Sequence, residues 1–138
     1  MISIVIVTHG KFGTELLNSA ELIVGKQENV STLNLNHGDN ISELQENVSR
    51  EIVELNKEYE VLVFTDLFGG SPTNSAAINM GTLKFKCITG INLPMLLEAL
   101  VSRLDENLDI NEIVKKCLKA GVDGIKNLEE MFLKGGEI

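Results

Sequence analysis

Cysteine and histidine are both scarce in this sequence, with two residues of each among 138. The cysteines, Cys87 and Cys117, lie far apart and form no CxxC pair. The surrounding pattern predicts Cys87 in an apolar strand and Cys117 in a helix, which favours buried free thiols over a disulfide. Two histidines and no cysteine cluster supply too few ligands for a zinc site, so no metal site is predicted.

Long apolar runs and an excess of basic residues are also lacking. No apolar segment is long enough to cross a bilayer. The opening residues, MISI, contain no basic segment and no small-residue cleavage site, so we expect no signal peptide and a cytoplasmic location. Twelve Lys and Arg residues against 20 Asp and Glu residues give a net charge of -8. This charge argues against nucleic acid as a partner and favours basic proteins.

The length and composition fit one domain over residues 1–138, since 43% of the residues are apolar and no linker or repeat divides the chain. Strand patterns alternate with helix patterns along it. Strands are predicted at residues 2–8, 30–35, 61–65 and 85–89. Helices are predicted at 12–24 and 41–55, from the GGSP turn to Gly81, around 95–100, and after Asp109 with breaks at Gly121 and Gly124. Gly135 and Gly136 predict a frayed tail.

This alternation predicts an α/β fold, a doubly wound three-layer sandwich whose mostly parallel sheet has the order 2-1-3-4. Helix N-caps are expected at Asn40 and Asp109. In such folds, functional residues collect at the carboxyl ends of the strands, where the strand order reverses. Three strands end there in unusual loops, which read THG (8–10), TDLFGGSPTN (65–74) and TGIN (89–92).

His9 and Asp66 should face each other across this reversal point, because the first and third strands are neighbours in the predicted order. A carboxylate that accepts the Nδ1–H of a histidine leaves Nε2 free as a nucleophile and stabilises the positive charge that grows during attack. Gly69 and Gly70 allow backbone N–H groups to approach an anion closely. Ser71 before a proline is typical of a helix N-cap, and a helix start favours phosphate.

These residues together predict a histidine that accepts and donates a phosphoryl group. Each has an ordinary alternative when taken singly: a hydrogen-bonded turn histidine, a capping carboxylate, and a tight turn entering a helix. Phe68 could shield the crevice, touch a partner or pack in the loop. Thr8, Thr65 and Thr89 are expected to satisfy backbone groups at strand ends. His37, in the turn NHGDN, is expected to be exposed and without a role.

The segments IVIVTHG, TDLFGGSPTN and GINLPML occur in this order over nearly the whole chain. They resemble the IIA component of the mannose/fructose/sorbose family of the phosphoenolpyruvate-dependent sugar phosphotransferase system. The resemblance implies a phosphotransferase in which His9 is phosphorylated at Nε2 and Asp66 orients it. It places Gly10, Gly69, Gly70 and Ser71 in the phosphate-binding pocket and implies no cofactor and no metal.

The resemblance also implies partners. The phosphocarrier protein HPr would donate the phosphoryl group and a IIB component would accept it, with membrane-embedded IIC and IID components downstream. Because the sequence stops at Ile138, IIB is expected on a separate polypeptide. A homodimer that exchanges an antiparallel strand is implied, and residues 121–128 are where we expect that strand.

Two other functions stay open at this stage. One is a regulatory module that uses the same histidine as a phosphorylation switch without sugar flux. The other is the phosphoryl-carrying subunit of a dihydroxyacetone kinase, which the GGSPTN turn favours less. The transported sugar is not predicted, because the membrane components would select it.

Overall fold

Four strands and six helices lie along residues 1–133, the part of the chain that this computed structural model describes. The frayed tail expected at Gly135 and Gly136 lies outside those residues. In chain order the elements are β1 (Ile2–His9), α1 (Phe12–Val24), β2 (Val30–Leu35), α2 (Ile41–Leu55), β3 (Glu60–Thr65), α3 (Ser71–Ala77), β4 (Lys86–Ile88), α4 (Leu93–Ser102), α5 (Ile110–Asp123) and α6 (Leu128–Leu133).

The four strands form one parallel sheet in the order β2-β1-β3-β4. In this sheet Val7 pairs with Thr65 of β3 and Leu33 of β2, so β1 lies between two strands. Every residue from Ile2 to Thr8 is buried, as expected for a central strand covered by helices on both faces. The predicted α/β fold and its strand order are confirmed.

Successive residues of the central strands point to opposite faces of the sheet and build two separate cores. One core packs the sheet against α1, α4 and α5, and the other packs it against α2 and α3. The first contains Ile4, Ile6, Leu62, Phe64, Leu96 and Cys117, and the second contains Val5, Val7, Val61, Val63, Val48 and Ile52. Burial raises the pKa of the Cys117 thiol to about 12, as suits a packing residue.

Several element ends differ from their predicted positions. The third helix ends at Ala77 rather than near Gly81. Beyond it, Asn79 and Met80 donate to carbonyls three residues earlier, which tightens the chain into a turn. The predicted caps at Asn40 and Asp109 are confirmed, since each side chain accepts a first-turn N–H group of its helix.

The C-terminal region differs from the sequence-based expectation more strongly. No helix break occurs at Gly121, because α5 runs to Asp123. A Cβ atom at Gly121 would lie 2.7 Å from Met95 Cε, so this glycine allows α5 to pack closely on α4. No strand is found at 121–128 in the described chain, since these residues end α5, form a short connection and begin α6. Strand exchange requires a second copy and stays a prediction.

Arg103 forms hydrogen bonds with backbone groups at the end of the sheet opposite to the predicted site. It is only 7% exposed, and burial lowers the pKa of its guanidinium group. Its two terminal nitrogens donate to the carbonyl oxygens of Ile2, Glu28 and Asn29 and to Oε1 of Gln27, at 2.6 to 3.2 Å. One side chain therefore connects the start of β1 to the loop that precedes β2.

Arg103→Leu is expected to lower the free energy of unfolding by about 2–4 kcal/mol, because the Ile2 and Glu28 carbonyls lose the donors that Arg103 supplies. The Asn29 carbonyl still accepts the N–H group of Ile4. Urea denaturation followed by circular dichroism measures this change. Arg50→Leu is the matched control, since Arg50 is exposed on α2, and it should alter stability by less than about 0.5 kcal/mol. Equal stability of the two variants would contradict the role given to Arg103.

Candidate functional site

His9 and Asp66 meet at the carboxyl edge of the sheet. His9 is the last residue of β1, and Asp66 directly follows Thr65, the last residue of β3. Since β1 and β3 are adjacent parallel strands, their ends bring the two side chains together. The structure thus confirms the predicted position of the two side chains, which face each other at this edge.

One oxygen of Asp66 binds His9 twice. Oδ2 lies 2.8 Å from the Nδ1 atom of the ring and 2.8 Å from the backbone nitrogen of the same histidine. An ionised carboxylate can only accept, so the neutral ring carries its proton on Nδ1 and leaves Nε2 with a free lone pair. The backbone N–H fixes the carboxylate independently of the ring, so the acceptor stays in place when the ring changes its charge.

Solvent reaches the histidine much more than the carboxylate. The His9 side chain is 50% exposed, whereas that of Asp66 is 12% exposed. The other carboxylate oxygen, Oδ1, is buried and has no hydrogen-bond partner within residues 1–133. The ring and the backbone of His9 are therefore the polar groups that Asp66 contacts within residues 1–133.

Gly70 lies directly against the histidine ring. A Cβ atom at this position would be 2.9 Å from Cε1 and 3.6 Å from Nε2 of His9. The backbone of Gly70 has φ -79° and ψ 165°, a conformation open to any residue. The glycine is thus needed for the close approach of the ring and not for its backbone angles.

The turn that carries Gly70 begins at Leu67. The Gly70 N–H group donates to the Leu67 carbonyl oxygen at 3.1 Å, and Gly69 has φ 84°. Positive φ at this third position is what a type II turn requires. Gly10 also has positive φ, at 54°, and its N–H donates to the Leu35 carbonyl at 2.7 Å. The N–H groups of Gly10 and Gly70 are therefore already engaged within the protein.

The prediction that Ser71 is the N-cap of the third helix is wrong. Gly70 is the N-cap, Ser71 is the first residue of α3, and Pro72 follows within the first turn. No side chain caps this helix, because its N-cap residue is a glycine. The Ser71 N–H group, as the first of α3, has no intrahelical acceptor.

The surface around His9 is open. The neighbouring loop exposes Leu67 and Phe68, the latter to 85%, and Phe12 at the start of α1 is 48% exposed. Phe68 therefore does not pack within the loop. A cavity lined in part by Tyr59 and Phe85 lies instead at the other end of the sheet. An exposed histidine with exposed apolar neighbours lies on a surface that suits contact with another protein.

Other residues singled out from the sequence have simpler surroundings. His37 is exposed in the turn after β2, as expected. The Thr8 hydroxyl accepts the Gly13 N–H at 2.8 Å and so satisfies a backbone group. The hydroxyls of Thr65 and Thr89 instead contact the hydroxyl of Thr73, a residue that sequence reasoning missed.

Clusters suited to metal binding and helices suited to a bilayer were both sought in residues 1–133. No three His, Cys, Asp or Glu side chains come together there in a way that could hold a metal ion. Over the same residues, no helix combines the length and apolar character needed to cross a membrane.

Comparison with known proteins identifies the family. A family model described as "PTS system fructose IIA component" matches residues 3–118. The chain is 36% identical to the fructose-specific EIIA component of Bacillus subtilis, over 87% of this chain and 81% of that protein. It therefore belongs to the mannose/fructose family of IIA components of the sugar phosphotransferase system, as its resemblance indicated.

Two further relatives define the extent of the match. The chain is 36% identical to the mannose-specific EIIAB component of Escherichia coli over 93% of its own length, but spans only 40% of that protein. The crystal structure of an EIIA component from Streptococcus agalactiae superimposes with a TM-score of 0.83 at 35% identity, covering 94% of this chain and 99% of that one. The fold is thus shared over almost the full length of a separate EIIA protein.

Proposed function

We propose that this chain is a phosphoryl carrier that accepts a phosphoryl group from HPr on Nε2 of His9 and passes it to a IIB component during sugar uptake. The observation that carries the proposal is the 2.8 Å contact between Asp66 Oδ2 and Nδ1 of a half-exposed histidine. That contact leaves Nε2 unprotonated in the neutral ring, and half of the side chain is open to solvent. Family membership supports the same chemistry.

Only His9 and the phosphorylated group of HPr form or break a covalent bond in the transfer. The Nε2 lone pair attacks the phosphorus atom of phosphorylated HPr, and the N–P bond of the donor breaks as the new N–P bond forms. The donor imidazole leaves with the bonding electrons. The His9 ring acquires positive charge while its Nδ1–H stays bonded to Asp66, whose carboxylate stabilises that charge. Since the donor N–P bond is already reactive, the protein contributes mainly position and electrostatics.

The phosphate-binding pocket is proposed to comprise Gly10, Gly69, Gly70 and Ser71. We propose different roles for these residues. The N–H of Ser71, which lacks an intrahelical acceptor, suits an anion, whereas Gly70 provides the space in which the ring and phosphoryl group fit. The positive φ angles of Gly10 and Gly69 shape the two turns on either side of His9.

The remaining parts of the proposal concern the assembly. We place residues 1–138 in a single cytoplasmic IIA domain that forms a homodimer, with IIB on another chain and IIC and IID in the membrane. The sugar specificity would reside in those membrane components. The open surface around His9 is consistent with a site that docks two different proteins in turn.

Transfer to a purified IIB component tests the function. The full chain is phosphorylated with phosphoenolpyruvate, Enzyme I and HPr, separated from them, and mixed with IIB. We expect the phosphoryl group to move to IIB. A stable phosphoprotein that never donates to IIB would indicate a regulatory switch instead, and donation to a dihydroxyacetone kinase subunit would indicate the third alternative.

Gly70→Ala tests the close approach of the ring. The added methyl group would force the His9 ring away from its position, because it would lie 2.9 Å from Cε1. We expect phosphorylation by HPr to slow by about 10²-fold, the scale of a misplacement near 1 Å. Thermal stability should change little, since the backbone angles of Gly70 suit alanine. Stopped-flow or quench measurements of labelling give the rate.

Gly69→Ala is the matched control, and it is expected to affect stability more than the rate of labelling. A Cβ atom there meets nothing within 4 Å, but the φ of 84° strains any other residue. We expect a loss of about 1 kcal/mol of stability and a smaller effect on labelling than Gly70→Ala. If Gly70→Ala labelled as fast as the wild type, the ring would not depend on this glycine.

A further inference from the structure

Three threonine hydroxyls converge at the carboxyl edge of the sheet beside the site. Thr65 ends β3, Thr73 is the third residue of α3, and Thr89 follows β4. The Thr73 Oγ1 atom lies 2.7 Å from the Thr65 hydroxyl and 3.1 Å from the Thr89 hydroxyl. It also lies 2.6 Å from the carbonyl oxygen of Leu67.

The hydrogen-bonding chemistry fixes the direction of these contacts. A carbonyl oxygen only accepts, so Thr73 donates its single proton to Leu67. Its two lone pairs then accept from the hydroxyls of Thr65 and Thr89. Thr73 is fully satisfied in this arrangement, and its proton cannot turn to another acceptor without losing a bond.

The Leu67 carbonyl links this cluster to the histidine. The same oxygen accepts the N–H group of Gly70, which closes the turn whose last residue lies against the His9 ring. Leu67 also directly follows Asp66, the acceptor for Nδ1. Thr73 therefore holds the carbonyl of Leu67, a residue that lies in the sequence between Asp66 and Gly70, and both of these contact or adjoin the His9 ring.

We propose that Thr73 is a positioning residue for His9, acting through the Leu67 carbonyl on the turn that ends at Gly70. The inference rests on the proposed function for its kinetic consequence, although its geometric consequence for the ring does not. Thr65 and Thr89 hold the Thr73 hydroxyl in the donating orientation. The hydroxyl, rather than the size of the side chain, is the required feature.

Thr73→Val removes the hydroxyl at almost constant volume. We expect kcat for phosphoryl transfer from HPr to fall about tenfold, the effect of one lost hydrogen bond. KM should not change, because the Thr73 hydroxyl is engaged by groups of this chain rather than by the donor. Thr73→Ser keeps the hydroxyl and should restore kcat. In ¹⁵N spectra of the ring, Thr73→Ser should match the wild type, whereas the ring signals of Thr73→Val should shift and broaden because the ring loses its fixed position against Gly70.

Thr82→Val is the matched control. Thr82 also donates its hydroxyl to a backbone carbonyl, that of Asn79, but beyond the far end of α3. This variant should retain the wild-type kcat and ring spectrum. The inference is overturned if Thr73→Val has wild-type kcat and spectrum, if Thr73→Ser is as slow as Thr73→Val, or if Thr82→Val is equally slow.

The two readouts separate this inference from the proposed function. If HPr fails to label the wild-type protein, the proposed function is contradicted, and the ring spectra alone decide the role of Thr73. If the wild type is labelled normally and the Thr73→Val ring and rate are unchanged, the function stands and only the role of Thr73 is lost.

Discussion

His9→Ala is expected to abolish phosphorylation by HPr, with a loss of at least about 10³-fold in rate, because no other group at the site can form the N–P bond. The variant should remain folded. His9 lies at the exposed end of β1, its side chain is half exposed, and it belongs to neither core. Intact-mass spectrometry after incubation with the donor proteins measures the labelling, and thermal denaturation checks the fold.

His37→Ala is the control for this experiment. His37 is the other histidine of the sequence and is exposed in the turn after β2. Its replacement should leave the extent and rate of labelling unchanged. Labelling that persists in His9→Ala and disappears in His37→Ala would move the nucleophile to the second histidine.

Replacement of Asp66 is expected to have the second-largest effect, and its size should depend on what replaces the carboxylate. In Asp66→Asn, the backbone N–H of His9 should hold the amide oxygen at the position of Oδ2, since an amide NH2 group there would face another donor. The ring can then keep its Nδ1–H tautomer, but the negative charge is gone. We expect transfer to slow by about 10- to 10²-fold.

Asp66→Ala removes the acceptor as well as the charge. The ring is then free to rotate and to place its proton on Nε2. We therefore expect the transfer rate to fall about 10³-fold, closer to the loss seen when a serine–histidine–aspartate triad holds its histidine in the wrong tautomer. Quench-flow labelling gives both rates, and ring ¹⁵N shifts report the tautomer. Equal and wild-type rates in the two variants would remove Asp66 from the mechanism.

The central strands and the pairing of His9 with Asp66 can be predicted from the sequence. The run from Ile2 to Thr8 is apolar at nearly every position because both faces of β1 are covered. Adjacent parallel strands end at the same edge of a sheet, so the strand order sufficed to bring His9 to Asp66. That Oδ2 of Asp66 accepts both the backbone N–H and the ring Nδ1–H of His9 could not be predicted, since no sequence pattern indicates which oxygen a backbone N–H group will contact.

The roles of single small residues were harder to predict. Two glycines before Ser71 are compatible with a flexible anion-binding turn, yet only coordinates show that Gly70 is needed for contact with the His9 ring and Gly69 for its positive φ. The sequence predicts a helix break at Gly121, but in the structure this glycine allows α5 to pack closely on Met95. Thr73 gives no periodic signal, because its partners lie at the end of β3, in the turn that follows it and in the loop after β4.

The position of the phosphoryl group tests the central claim most directly. The full chain is incubated with phosphoenolpyruvate, Enzyme I and HPr, its intact mass is recorded, and the modified atom is mapped at alkaline pH by peptide sequencing and ¹⁵N spectroscopy. We expect one phosphoryl group per chain, on Nε2 of His9. No gain in mass, or a group on any other residue or on Nδ1, would contradict a carrier built on the contact between His9 and Asp66.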